Sequence, residues 1–240
     1  MLETRRPVRR QAQRSRRAAP ALLLILFGLL LWQVVTHGVV TRIDVHVRNG
    51  IQGAATSADS HWLYKFGRGC ADLGNQAPAI LTLLVVTAFT AWRVRSWRPV
   101  LIAVGAGLVL ATVIPLKIWV GRPGPGEAVL GDANLGFFPS GHTADAMCCY
   151  GTAAFLLATF VWTGRAARRR LAAPAGILIV LTIFGLLWSN FHWLSDVLGS
   201  LCWCGAWLIV VYRHGRAERG QGRERPAERA AERPPGQAKT

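Results

Sequence analysis

Two short polar clusters carry the chemical groups that are needed to attack a phosphate ester. The first ends in Ser140, Gly141 and His142, which supply a hydroxyl, a backbone amide open to close approach, and an imidazole. The second contains His192 and Asp196, spaced i and i+4 where an apolar stretch begins, so that both lie on one helix face. A carboxylate that holds one imidazole nitrogen leaves the other as a nucleophile or base. Together the clusters predict phosphate-ester chemistry.

Each cluster also has a purely structural interpretation. Ser140 is a favourable N-cap residue, and the residues around it are common in turns. Asp196, close to a helix start, would by the same argument serve only to cap that helix. The N–H groups at a helix start also bind phosphate oxygens well, so both interpretations stay open at this point.

Two cations precede the first cluster. Lys117 is one of only three lysines among 28 lysines and arginines, and it lies at the end of an apolar stretch. A snorkelling residue at a span end would explain Lys117 alone, but Arg122 follows it closely. Two cations beside two histidines predict an anion-binding site.

The elements that must position these residues are long apolar helices. Hydrophobic residues make up 52% of the 240-residue chain and fall in blocks of about bilayer-spanning length. The sequence predicts an all-α bundle of six transmembrane helices, near 20–40, 74–94, 99–119, 143–163, 171–190 and 194–212. We expect a basic segment at 1–19, one membrane domain at 20–212 and a disordered tail at 213–240.

The net charge of +16 comes largely from arginine runs between the apolar blocks, a distribution that indicates membrane topology rather than nucleic-acid binding. With six spans, every run falls on the same side of the membrane. This predicts that both termini are cytoplasmic and that the two clusters and Lys117 lie on the outer face. We expect the membrane to be a bacterial plasma membrane.

Three groups of residues together resemble the motifs of the type 2 phosphatidic acid phosphatase superfamily. They are Lys117 with Gly121-Arg122-Pro123, then Pro139-Ser140-Gly141-His142, and then His192-x-x-x-Asp196. Members of the superfamily are integral-membrane lipid phosphatases and their haloperoxidase relatives. The resemblance implies hydrolysis, without a metal or other cofactor, of a lipid phosphate that is phosphatidate-like or a polyprenyl mono- or diphosphate. Membrane lipids and this substrate are the implied partners.

The resemblance also implies a role for each residue. His192 would attack phosphorus and form a phosphohistidine, while Asp196 would orient the ring. His142 would protonate the leaving alcohol and then activate water. The phosphate oxygens would be held by Lys117, Arg122, Ser140 and the Gly141 amide.

The chain departs from these motifs in two places. Gly124 and Leu186 stand where the superfamily normally has arginines, and Gly185 replaces the serine that precedes the latter. Because a hydrogen bond to a charged group contributes about 1.5–3 kcal/mol, losing both arginines would weaken transition-state binding by powers of ten.

The alternative to an active phosphatase is a non-catalytic member that binds a lipid phosphate or scaffolds an envelope complex. We expect Leu186→Arg to fold normally and to strengthen phosphate binding.

Overall fold

The computed structural model describes the backbone of residues 5–58, 60–126 and 135–231, and the side chains of 18–58, 60–126 and 135–216. Over these residues the chain is helical and has no β-strand. In chain order the α-helices are α1 Arg5–Val35, α2 Val39–Ser57, α3 His61–Asp72, α4 Gln76–Val94, α5 Arg98–Ala111, α6 Val113–Val120, α7 Gly141–Leu156, α8 Arg165–Trp188 and α9 Leu194–Ala231. A π-helical turn, Leu157–Val161, continues α7.

The predicted all-α, six-span fold is confirmed. In the described part of the chain, six stretches of helix are long and apolar enough to cross a membrane: Ala18–Val35, Gln76–Val94, Arg98–Val120, Gly141–Val161, Arg165–Trp188 and Leu194–Arg216. Their ends differ from the predicted ends by a few residues, because hydropathy locates a span but not its caps.

The third span is interrupted between α5 and α6. Pro115 has no N–H to donate to the Ala111 carbonyl, so the helix cannot continue regularly through this point. Thr112 lies at the interruption, where its Oγ1 donates to the Val109 carbonyl at 2.6 Å. After α6 the chain turns at Gly121, whose φ of 57° is in the left-handed region that favours glycine. The turn lies between Lys117 and Arg122.

The central helix is α7, which is buried along most of its length and packs against α4, α5, α8 and α9. Its buried residues are mostly small, among them Ala144, Ala146, Cys148, Cys149 and Ala153. Small residues let helix backbones approach closely where lipid supplies no hydrophobic force between helices.

The first turn of α7 lies at one end of the bundle, together with the first turn of α9. We call this end the site end.

Two helices between the first and second spans, α2 and α3, flank the site end. The sequence predicted only a connecting segment there. The α3 backbone lies so close to α8 that a Cβ added at Gly185 would come within 2.5 Å of the Gly67 carbonyl oxygen and 2.7 Å of Cys70 C. A Cβ at Gly67 would in turn overlap the Trp188 ring. On α2, Gln52 donates to the Trp188 carbonyl at 3.2 Å, which ties this helix to the same region.

The predicted disordered tail differs from the structure over part of its length. Helix α9 does not end near 212 but continues to Ala231, and residues 232–240 lie outside the described part of the chain. Alanine, arginine and glutamate have high helix propensity, so the segment after the last span can extend the helix that precedes it.

Candidate active site

The two predicted histidine clusters meet at the site end. The Ser140 N–H donates to the Asp196 carbonyl at 3.0 Å, and the Ser200 hydroxyl donates to the Ser140 carbonyl at 2.6 Å. These bonds join the start of α7 to the first turns of α9. The His142 and His192 rings consequently lie next to each other in an edge-to-face arrangement, with their centroids 6.1 Å apart and their planes inclined by 67°.

Asp196 holds His192 and caps α9 with the same oxygen. Its Oδ2 lies 3.2 Å from His192 Nδ1 and accepts from the Trp193 N–H at 3.0 Å. The carboxylate is therefore at the third position of α9 and reaches back to the cap residue, as in a capping box. Asp196 therefore contacts the His192 ring and caps the helix, and its catalytic role stays a prediction. Because Nδ1 is occupied, Nε2 is the nitrogen of His192 that is left for chemistry.

Arg122 has carboxylate partners in the structure rather than an open phosphate site. Its Nη1 donates to Asp196 Oδ1 at 2.6 Å, and its Nη2 donates to Asp44 Oδ2 at 2.7 Å. Nη1 also lies 2.7 Å from the Ser195 hydroxyl. All of these side chains are buried, and Arg122 itself is only 9% exposed. Both terminal nitrogens are thus engaged by carboxylates, an arrangement that holds Asp196 in place, and the predicted role of Arg122 as a phosphate ligand stays a prediction.

Asp44 is a site residue that the sequence analysis did not find. It lies on α2, is 2% exposed, and accepts from the Ser195 N–H at 2.9 Å and from the Ser195 hydroxyl at 2.5 Å. Together with Arg122 it connects α2 to the start of α9. An aspartate inside a helix that does not span the membrane carries no local signal of a partner 78 positions away along the chain.

A second polar chain holds His142. Its Nε2 lies 2.8 Å from Asn75 Oδ1, and Asn75 Nδ2 donates to Asp72 Oδ1 at 3.0 Å. Since Asn75 Oδ1 accepts, the proton of this bond is on Nε2, and Nδ1 is the nitrogen free to exchange a proton with a ligand. Asp72 ends α3 and Asn75 immediately precedes α4, and the sequence predicted neither residue as part of the site.

The predicted anion-binding site is partly present. The Lys117 side chain is half-buried, and its Nζ lies 3.5 Å from the point that a Cβ on Gly141 would occupy, so the ammonium adjoins the first turn of α7. The Ser140 hydroxyl is fully buried and accepts from the Thr143 N–H at 3.3 Å, so it is the N-cap of α7. The N-cap interpretation of Ser140 is therefore confirmed. Its use as a phosphate donor stays a prediction.

Asp145 lies one turn further into α7 and acts electrostatically on Lys117, as Asp196 does. Its Oδ1 is buried without a hydrogen-bond partner among the described residues. Over the same residues, no three histidine, cysteine or acidic side chains converge into a group that could hold a metal ion.

Comparison with known proteins agrees with this geometry. A family model described as "PAP2 superfamily" matches residues 79–219, which include both histidines and both cations. The chain belongs to the PAP2 superfamily. Phosphatidylglycerophosphatase B of Bacillus subtilis (strain 168) is 26% identical over 177 residues, which cover 74% of this chain and 85% of the relative.

The fold has also been seen in a solved PAP2 structure. That structure is described as the first transmembrane PAP2 type phosphatidylglycerolphosphate phosphatase, from Bacillus subtilis. It superimposes with a TM-score of 0.71 and 23% identity, over 83% of this chain and 96% of the other.

In this PAP2 protein, the positions of the two absent motif arginines are filled by apolar groups. A Cβ at Gly124 would meet the Phe137 ring at 2.7 Å, and that ring lies with its centroid 5.5 Å from the His192 ring. Leu186 is fully buried and packs with Ala71 of α3. The burial of Leu186 argues against the expectation that Leu186→Arg folds normally, because the guanidinium would enter a closed apolar cluster.

Proposed function

We propose that this PAP2 protein is a metal-independent phosphatase that hydrolyses a lipid phosphate through a phosphohistidine intermediate. The observation that carries the proposal is the pair of adjacent, oriented imidazoles. One is bound at Nδ1 by Asp196 and the other at Nε2 by Asn75, so each is oriented with one nitrogen free. Two oriented imidazoles on either side of a ligand can supply a nucleophile and a proton donor.

In the first step, the lone pair on His192 Nε2 forms a bond to phosphorus as the bond between phosphorus and the lipid oxygen breaks. The leaving oxygen takes a proton from His142 Nδ1, which releases a neutral alcohol. The imidazole of His192 becomes cationic, and Asp196 stabilises this charge from the opposite nitrogen. Lys117 and the amide groups at the start of α7 stabilise the charge on the phosphoryl oxygens.

In the second step, water attacks the phosphohistidine. His142, now deprotonated, takes a proton from the water as its oxygen bonds to phosphorus. The bond between phosphorus and His192 Nε2 breaks, which releases inorganic phosphate and regenerates the starting protonation states. The same two nitrogens therefore serve both steps.

Two features support a lipid as the substrate. His142 lies in the first turn of a membrane-spanning helix and His192 lies two residues before another, where a headgroup at the bilayer surface meets the bundle. The relative named phosphatidylglycerophosphatase B, by its name, acts on a lipid phosphate. The proposed substrates are phosphatidate-like lipids, phosphatidylglycerophosphate and polyprenyl mono- or diphosphates.

We place the site on the outer face of a bacterial plasma membrane. The arginines that join or follow the spans lie at the end of the bundle opposite the site end: Arg93, Arg95, Arg98, Arg165, Arg168, Arg169, Arg170, Arg213 and Arg216. Positively charged loops stay on the cytoplasmic side, so the opposite end faces out and both termini face in.

The experiment is phosphate release by the purified protein in detergent micelles, with phosphatidate, phosphatidylglycerophosphate and a polyprenyl diphosphate as substrates. We expect turnover of at least one lipid that persists in EDTA, is inhibited by vanadate and is lost in His192→Ala. His61→Ala is the matched control, because His61 is also at the site end but exposed. Full activity in His192→Ala would contradict the proposal.

A second candidate, a non-catalytic protein that binds a lipid phosphate, is favoured by one observation. Apolar groups fill the positions of both motif arginines, so the phosphate site has fewer cations than the motifs prescribe. It predicts stoichiometric lipid binding without turnover, and equal binding by wild type and His142→Gln.

A further inference from the structure

The loop between α8 and α9, residues 189–193, is contacted by an arginine of α2. Arg48 Nε donates to Asn190 Oδ1 at 2.8 Å, and its Cζ lies 6.0 Å from the centre of the Trp193 ring. The side chain is half-buried. Asn190 has a φ of 58°, a conformation that asparagine tolerates better than most residues. The hydrogen bond uses only Nε and leaves the two terminal nitrogens of Arg48 for another partner.

A second arginine contacts the same loop from α3. The Cζ of Arg68 lies 4.9 Å from the centre of the Phe191 ring, within the range of a cation–π contact. The Arg68 side chain is exposed, so its guanidinium is open to a ligand. The close approach of α3 to α8 at Gly185 brings this arginine to the loop.

The two arginines contact the residues that precede and follow the proposed nucleophile in the chain. His192 lies between Phe191 and Trp193, and consecutive Cα atoms are about 3.8 Å apart. One guanidinium therefore contacts the side chain just before His192 and the other the side chain just after it. Lys117 lies elsewhere, beside Gly141 at the start of α7.

Neither arginine has an acidic partner in the described part of the chain. The ion pairs there within 4.0 Å join Arg122 to Asp44, Arg122 to Asp196 and His192 to Asp196. Asp44 pairs with Arg122, and Asp72, one turn after Arg68, accepts from Asn75 rather than from that arginine. Two guanidinium groups without an ion-pair partner on the loop that carries His192 attract an anion, and their fork geometry matches phosphate oxygens.

We propose that Arg48 and Arg68 form a second anion subsite that binds a further phosphate of the substrate headgroup, next to the phosphate attacked by His192. This rests on the proposed function and names its substrate class as lipids whose headgroup carries two phosphates. The second phosphate is either a phosphodiester joined to the phosphomonoester by a short linker or the inner phosphate of a diphosphate. The subsite supplies, from α2 and α3, cations that the motif positions lack.

The test measures kcat/KM for three lipids in mixed micelles: phosphatidate, with one phosphate, and phosphatidylglycerophosphate and a polyprenyl diphosphate, with two. The variants are Arg48→Gln, Arg68→Gln and the double variant. Arg42→Gln on α2 and Lys65→Gln on α3 are matched controls, because both residues are exposed and have no described contact with the loop. Thermal unfolding of each variant shows whether the fold is kept.

We expect each arginine variant to lower kcat/KM for at least one two-phosphate lipid by about ten- to a hundredfold, the range for losing a charged hydrogen bond. Turnover of phosphatidate should change by less than about threefold, since a one-phosphate headgroup does not reach the subsite. The lipid that responds shows whether the second phosphate is a diester or part of a diphosphate. Arg48→Lys should recover part of the loss, because it keeps the charge.

Equal losses on all three lipids, or no loss on any, would overturn the subsite while wild-type turnover still supported the phosphatase. If wild type turns over no lipid, the proposed function fails. The subsite is then decided by binding to vesicles containing the same three lipids. Tighter binding of the two-phosphate lipids that depends on Arg48 and Arg68 supports it, and equal binding of all three by every variant rejects it.

Discussion

Removing Arg122 tests whether this residue positions the catalytic carboxylate or binds phosphate. Its guanidinium joins Asp196 and Asp44, which are 0% and 2% exposed, at 2.6 and 2.7 Å. In Arg122→Gln both carboxylates lose their counter-charge while they remain buried. Breaking a buried ion pair in this way typically costs about 3–5 kcal/mol. We expect a loss of stability of about that size, together with a fall in kcat because Asp196 no longer holds His192.

The assay is equilibrium unfolding in mixed micelles, run beside steady-state kinetics. Asp44→Asn provides an internal comparison, because combining it with Arg122→Gln removes a buried charge as well as its partner. The double variant should be more stable than the sum of the two single effects predicts, by about 0.5–3 kcal/mol for residues in contact. If Arg122→Gln kept wild-type stability and kcat and raised only KM, Arg122 would be a phosphate ligand and the reasoning would be refuted.

Three further variants or conditions follow from the same geometry. Asn75→Ala should lower kcat roughly tenfold with little change in KM, because it frees the His142 ring, and general acids contribute at least that much. Gln76→Ala is the control, because Gln76 is the exposed neighbour of Asn75. An unchanged kcat in Asn75→Ala would show that Asn75 has no part in catalysis. Leu186→Arg should unfold at a lower temperature than Leu186→Met, because a charge in the closed cluster with Ala71 has no partner; normal stability with tighter vanadate binding would restore the original expectation. Activity should be bell-shaped in pH, because the reaction needs one histidine as a nucleophile and the other as an acid, whereas a flat profile from about pH 5 to 9 would contradict opposite roles for two histidines.

The sequence predicted those parts of the structure that depend on neighbouring residues. The six spans follow from the length of the apolar blocks, and the Asp196–His192 contact follows from i, i+4 spacing at a helix start. The N-cap role of Ser140 is local for the same reason. A pattern of neighbouring residues, within one helical turn for the two contacts and within one apolar block for each span, determines each of these.

The rest depends on contacts between distant parts of the chain. Asp44 meets Arg122 across 78 positions, and Asn75 meets His142 across 67, and neither pairing leaves a periodic signal. The α3 helix was missed because it is short, polar on one side and defined by its packing on α8 rather than by hydropathy. The same packing explains why Gly185 and Leu186 replace polar residues, since the space they face is occupied by α3.

The central claim is that His192 is the nucleophile, and direct trapping of the intermediate tests it. The protein is mixed with a lipid phosphate labelled at phosphorus and quenched in alkali, which preserves phosphohistidine, and the labelled peptide is then sequenced by mass spectrometry. The His142→Gln variant should be tested as well, because it slows the attack of water on the phosphohistidine. It is given a substrate whose leaving group needs no proton, so that the first step still proceeds and the intermediate accumulates. The label is predicted on His192, more abundant in His142→Gln and absent in His192→Ala. Turnover with no label on the protein, or with the label on another residue, would contradict the account.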